Sequence, residues 1–336
     1  MTFNQSVSVS TWLAATWLVC SSPLSGLAMS EAPETPLPVS GHEVSAQSIT
    51  PADVFARVQW IRKELDGLRF EMGEASSREV GLLVQEASPH EVFFQAKTLD
   101  QKVARLVGEL TERPEPLEEE RTPSDIRPLH VWRIVDRSLG RILFLKKELG
   151  VTFTNHETMP DLNTNPTQVF IAIGLANKQL NLLLSHQFSP KDVGEQVGLG
   201  MRYATKLLEG FSADTTEVPL PSLERGRTPW DAYSRLIDCY MVLGDIARAS
   251  HIKMLTLDMH NLERPDIQPN DVYDLATLII SELAYLYSHQ PNPISLEAEP
   301  LHGPILPSHV YQLAGGLLAQ LHALEAQARA HPAALR

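Results

Sequence analysis

A five-residue pattern, proline followed three residues later by valine and then an aromatic residue, recurs eight times with small departures. The copies begin at Pro51, Pro89, Pro128, Pro166, Pro190, Pro229, Pro269 and Pro307. Internal self-similarity of this kind constrains architecture before any local assignment is made. Proline suits the first position of a helix, where its missing N–H has no partner to lose and its fixed φ is already helical. Five copies place a capping side chain before it: Thr50, Ser88, Asn165, Ser189 or Thr228. Two residues after it stands an acid in five copies (Asp53, Glu91, Asp192, Asp231, Asp271), at the positive end of the helix dipole. Each copy therefore opens a helix.

The residues that follow agree. Val131, Trp132, Val135, Leu139, Ile142 and Leu145 in the third copy step by alternating threes and fours, as do Val272, Tyr273, Ala276, Ile279, Leu283 and Leu286 in the seventh. Such a stripe gives an amphipathic helix of roughly 20–24 residues. No stretch of similar length alternates as a strand does. The expected class is all-α.

Successive prolines lie 38, 39, 38, 24, 39, 40 and 38 residues apart. The short step from Pro166 to Pro190 splits the helices into two sets of four, and matching copies of the two sets are 139 to 141 residues apart. The expected architecture is an internally duplicated pair of four-helix units, residues 49–188 and 189–330. The alternative is an α-solenoid of helix pairs, with short second helices at Arg78–Gln85 and His251–His260. The turn around Gln187-Phe188-Ser189 predicts an antiparallel hairpin of the fourth and fifth helices. The other links are long enough to run back along a whole helix, so neighbours are either parallel or antiparallel.

Residues 1–30 carry no Asp, Glu, Lys or Arg, and the apolar run from Trp12 to Cys20 precedes a small-x-small site, Ala28-Met29-Ser30. This reads as a signal peptide, although its only positive charge at the start is the amino terminus. Residues 31–48 read as a disordered spacer. The expected location is periplasmic or secreted, with no transmembrane segment, since the apolar run is short of the roughly 20 residues a span needs. Removal of residues 1–30 leaves Cys239 alone, without a disulfide partner and at an apolar position of the sixth stripe. A formal charge of −13 disfavours nucleic acid as a partner.

Catalytic motifs are missing. No Walker loop, Gly-x-Ser-x-Gly elbow, Cys-x-x-Cys or His-Glu-x-x-His occurs. Glu299-Pro-Leu-His302 has the spacing of a bundle metal motif, but its prolines put it in a loop. His90, His130 and His309 fall on first turns, at positions expected to be exposed. No metal or cofactor is expected, and no enzyme. The glycines Gly194, Gly198 and Gly200 predict close approach of another helix. Departures from the repeat mark where a site belongs: Gly194 replaces an aromatic, Ala232 a valine, and Trp230 and the cluster Asp238-Cys239-Tyr240 are added. Asn177, Tyr203, Trp230 and Tyr240 are the candidates for a pocket or partner groove. The functional expectation is an exported, non-enzymatic helical-repeat module that binds a protein or peptide. The alternative is a small-molecule carrier with its ligand between the two halves.

Overall fold

In the computed structural model the described residues are 49–73, 84–113, 116, 122–123, 125–153, 160–184, 188–211, 218–257, 267–294 and 296–335. The expected signal peptide and spacer lie outside them. Eight helices begin at the eight prolines: α1 (Pro51–Glu71), α2 (Pro89–Thr111), α3 (Pro128–Glu148), α4 (Pro166–Leu183), α5 (Pro190–Glu209), α6 (Pro229–Ala249), α7 (Pro269–Ser288) and α8 (Pro307–Ala330). The protein is all-α apart from two short strands, β1 (Val84–Gln85) and β2 (Thr256–Leu257), paired antiparallel. These strands stand in the links where second helices were the alternative; two-residue segments pairing across the molecule leave no room for a helix at those residues.

Every helix start is closed the same way. The residue two places after the proline reaches back and accepts the N–H of the residue before it: Asp53 from Thr50, Glu91 from Ser88, Asp192 from Ser189, Asp231 from Thr228 and Asp271 from Gln268. Where no acid is present, His130 Nδ1, Gln168 Oε1 and His309 Nδ1 accept instead, from Arg127, Asn165 and Leu306. The residue three places after each proline, Val54, Val92, Val131, Val169, Val193, Ala232, Val272 or Val310, is buried. The aromatic beside it is buried in Phe93, Phe170, Tyr233 and Tyr273 and half-buried in Phe55, Trp132 and Tyr311.

Packing repeats between the halves. In the first, α1 and α2 each pack on both α3 and α4; in the second, α5 and α6 each pack on both α7 and α8. Within each half the helices run parallel. The opening turns of all four helices of the second half surround one small void lined by Pro190, Pro229, Pro269 and Pro307. In the first half, cross-links join similar depths: Arg57 on α1 with Asp136 on α3, Asp100 on α2 with Arg137 on α3, and Gln179 on α4 with Asp66 on α1. Parallel bundling places like dipole ends together, which the acids at the helix starts offset. The long links are what return the chain to the starting end.

The halves meet through α2 against α7 and β1 against β2. Here the order is reversed: His90, at the start of α2, meets Glu282 late in α7, while Lys102 meets Asp274 near the start of α7. Two parallel bundles thus lie antiparallel to one another. The short link between α4 and α5 follows from this, because the end of one bundle already adjoins the start of the other. The expected α4–α5 hairpin is corrected accordingly. These helices share no packed face of any size; α4 packs on α1 and α2, and α5 on α7 and α8. Phe188, in the connecting segment, instead stacks on Tyr273 at 3.9 Å and donates its N–H to Asn270.

Candidate functional site

Four carboxylate residues are buried among the described residues: Glu64, Glu91, Asp100 and Glu282. Glu64 pairs with Lys146 at 2.5 Å and accepts Trp60 Nε1–H at 2.9 Å, tying α1 to α3. Asp100 is held by Arg137 and Arg141 at 3.1 and 2.5 Å and by the Ser138 hydroxyl, tying α2 to α3. The half-buried Asp274 accepts from Lys102, whose ammonium is wholly buried, and from Asn181 Nδ2. Burial pushes the Lys102 pKa down and the Asp274 charge opposes that shift.

Glu91 and Glu282 are different. They come together with His90 where α2 crosses α7, and neither pairs with a lysine or arginine among the described residues. His90 Nε2 lies 3.0 Å from Glu282 Oε2 and 3.8 Å from Glu91 Oε1. The Glu91 carboxylate accepts two backbone N–H groups, from Ser88 and Leu255. The Glu282 carboxyl lies against that of Glu91. Its Oε1 is buried and has no hydrogen-bond donor among the described residues. The Tyr285 ring stacks on His90 at 3.8 Å.

The electrostatics follow from burial without a cation. Desolvation pushes the Glu91 carboxyl up to about 8, with the Glu282 charge adding to it and the backbone N–H groups opposing it. Desolvation also pushes Glu282 up to about 8 and holds His90 below its ordinary value. A cleft of about 520 Å³ opens beside the cluster, lined by His90, Tyr285, His251, His289, Lys253 and Asp125, and drawn from both halves.

The structure corrects the reading of His90 as an exposed cap residue: it is only 4% exposed, because α7 covers the start of α2. His130 and His309 are half-buried and serve as caps. Glu91 does close its helix, but on the covered side. Glu282 carried no motif; its signal was the second apolar face of α7, where Leu275, Leu278 and Ala284 are buried beyond the first stripe.

The four residues singled out from the sequence are not gathered in one place. Asn177 is buried on α4, with Nδ2 3.5 Å from the Gln95 carbonyl and Oδ1 unpaired among the described residues. Tyr203 on α5 meets Tyr287 edge to face at 5.7 Å. Trp230 is half-buried beside Tyr233 at the start of α6. Tyr240, buried on α6, donates its hydroxyl to the Leu255 carbonyl at 2.7 Å, and the Leu255 N–H goes to Glu91. Tyr240 alone of the four therefore reaches the junction cluster. Gly194 stands where an aromatic was expected because the last link crosses it, so that an added Cβ would meet Leu301 Cδ1 at 2.7 Å. Gly200 lies close under Leu317, whereas nothing approaches Gly198. Cys239 is buried and free. No helix among the described residues is long and apolar enough to cross a membrane. No protein-family model, curated protein or solved structure matches the chain.

Proposed function

We propose that this protein is an exported, non-enzymatic helical scaffold that binds protein along its helix faces, and that one partner is a second copy of itself. One observation carries this reading: the contact joining the halves uses non-equivalent faces, α2 of one and α7 of the other, so their counterparts are left over. The repeat matches α7 with α3 and α2 with α6. At the positions matching the covered Asp274, Ser281 and Tyr285 of α7, α3 presents the exposed Arg133, Gly140 and Phe144. Opposite Thr98, buried on α2, α6 presents the exposed Asp238, with Met241 56% exposed beside it. Across the internal contact Lys102 of α2 meets Asp274 of α7; the leftover faces offer charges of opposite sign as well, Arg133 on α3 and Asp238 on α6. A contact between non-equivalent faces adds copies head to tail, and charge complementarity sets its register.

Sedimentation of the full chain across a concentration series tests this. Concentration-dependent association is expected, weakened by Arg133→Glu or by Asp238→Lys and restored when the two variants are mixed. A chain that stays monomeric up to roughly 1 mM contradicts self-association. Export is tested by the mass of the protein recovered from the cell envelope, expected to lack residues 1–30. A second reading, a carrier with its ligand held between the halves, is favoured by the cleft of about 520 Å³ at the junction. Native mass spectrometry of gently purified protein distinguishes it by a retained small molecule.

A further inference from the structure

Three acids in this fold, Glu64, Asp100 and Asp274, each lie against a lysine or arginine. Glu91 and Glu282 do not among the described residues, although both are at most 4% exposed and their carboxyls lie within 4.8 Å of one another. Two adjacent carboxyls buried without a cation keep their protons, and only a positive charge between them would let both ionise. What stands beside them is the His90 imidazole, and one carboxylate oxygen, Glu282 Oε1, has no donor among the described residues. The arrangement lacks a positive charge of small size.

We propose that His90 Nε2 and the carboxylates of Glu91 and Glu282 bind one divalent transition-metal ion, which joins α2 to α7 and so the two halves of the protein. One oxygen or nitrogen from each side chain lies within 4.8 Å of the others, and His90 Nε2 stands 3.0 Å from Glu282 and 3.8 Å from Glu91. A tetrahedral ion with bonds of about 2.0–2.1 Å sets its ligand atoms roughly 3.3 Å apart, so small side-chain movements suffice. One imidazole with two carboxylates is a ligand set that holds zinc, and it lacks the six to eight oxygens that calcium takes. On binding, the two carboxyls give up their protons to solvent and their charges balance that of the ion. The Ser88 and Leu255 N–H groups, already bound to Glu91, orient it as a second layer of support. The cleft that His90 lines provides an entry path.

The test uses the full chain, stripped with chelator and titrated with Zn²⁺ or Co²⁺ alone by calorimetry. One equivalent is expected to bind, with a higher melting temperature and, for Co²⁺, visible absorption bands of a low-coordinate site. Glu282→Gln and His90→Gln, each confirmed folded by circular dichroism, are expected to weaken binding by at least about tenfold. His302→Ala, an exposed histidine far from the cluster in sequence, leaves it unchanged. No saturable one-to-one binding, or binding indifferent to both glutamine variants, overturns the proposal. Should the variants fail to fold, X-ray absorption of the zinc-loaded wild type decides: a nitrogen and oxygen shell supports the site, and a sulfur or all-oxygen shell sinks it.

Discussion

Within the first bundle, Glu64 and Lys146 are both wholly buried and satisfy one another; at the junction between bundles, Glu91 and Glu282 are buried too, with no lysine or arginine paired to them among the described residues. The difference teaches where the fold is self-sufficient. A pair such as Glu64–Lys146 gives little net stability over an apolar packing, but it fixes which helix lies against which, and losing one partner is costly. The junction cluster has the opposite character. Its carboxyls hold protons up to about pH 8, so the contact between the halves depends on solution conditions.

Lys146→Ala gives the largest effect. It takes the ammonium away from the buried Glu64 carboxylate, which keeps the Trp60 N–H, and a loss of about 3–5 kcal/mol in urea denaturation is expected. A midpoint close to wild type would remove the distinction between the two regions.

An intermediate effect is expected from pH. Glu91 and Glu282 have folded values raised from 4.5 to about 8, so the native state keeps protons that the unfolded chain has released. Their contribution to stability is complete below the unfolded value and lost as pH rises through the folded one. His90 acts in the other direction, but only below its ordinary value of 6.5. Tyr240 and Tyr285 beside the cluster are shifted upward and stay neutral throughout. Metal-free protein should therefore lose roughly 3 kcal/mol of stability between pH 6.5 and 8, shared between the two carboxyls. Glu282→Gln should flatten that slope, since it removes one titrating carboxyl and the repulsion acting on the other. A slope unchanged by this variant would place the titration elsewhere.

The smallest effects come from the equivalent pair Tyr285 and Phe144. Tyr285→Ser removes the ring stacked on His90 and should cost about 1 kcal/mol. Phe144→Ser, at an exposed position, should change monomer stability by no more than about 0.5 kcal/mol while weakening self-association. Thermal denaturation of the two variants side by side sharpens the contrast between the used and unused faces.

Much of the fold was legible because its signals are local. Each proline with its capping neighbours starts a helix, and the buried valine three residues on follows from the same pattern. The duplication was legible from spacing alone, and it returns as the same packing pattern in both halves. The candidate site was far less legible. His90 and Glu282 are 192 residues apart, and each looks ordinary where it stands: one a first-turn polar residue, the other a charge on a helix with a mostly apolar surround. Asn177 stands out in the sequence as a polar residue on an apolar stripe, and Tyr203 and Trp230 as departures from the repeat, but a departure records a local packing need as readily as a site, as Gly194 under Leu301 shows.

The sequence by itself determined eight helices, their starting residues and their grouping by fours, because capping, proline geometry and apolar periodicity act within a few residues of the chain. Tertiary structure decided direction and contact: parallel helices inside each bundle, antiparallel bundles, and α2 against α7 as the joint. Those outcomes depend on which surfaces fit when every helix is present at once, and it is that fit which carries His90, Glu91 and Glu282 out of water and into one another's reach.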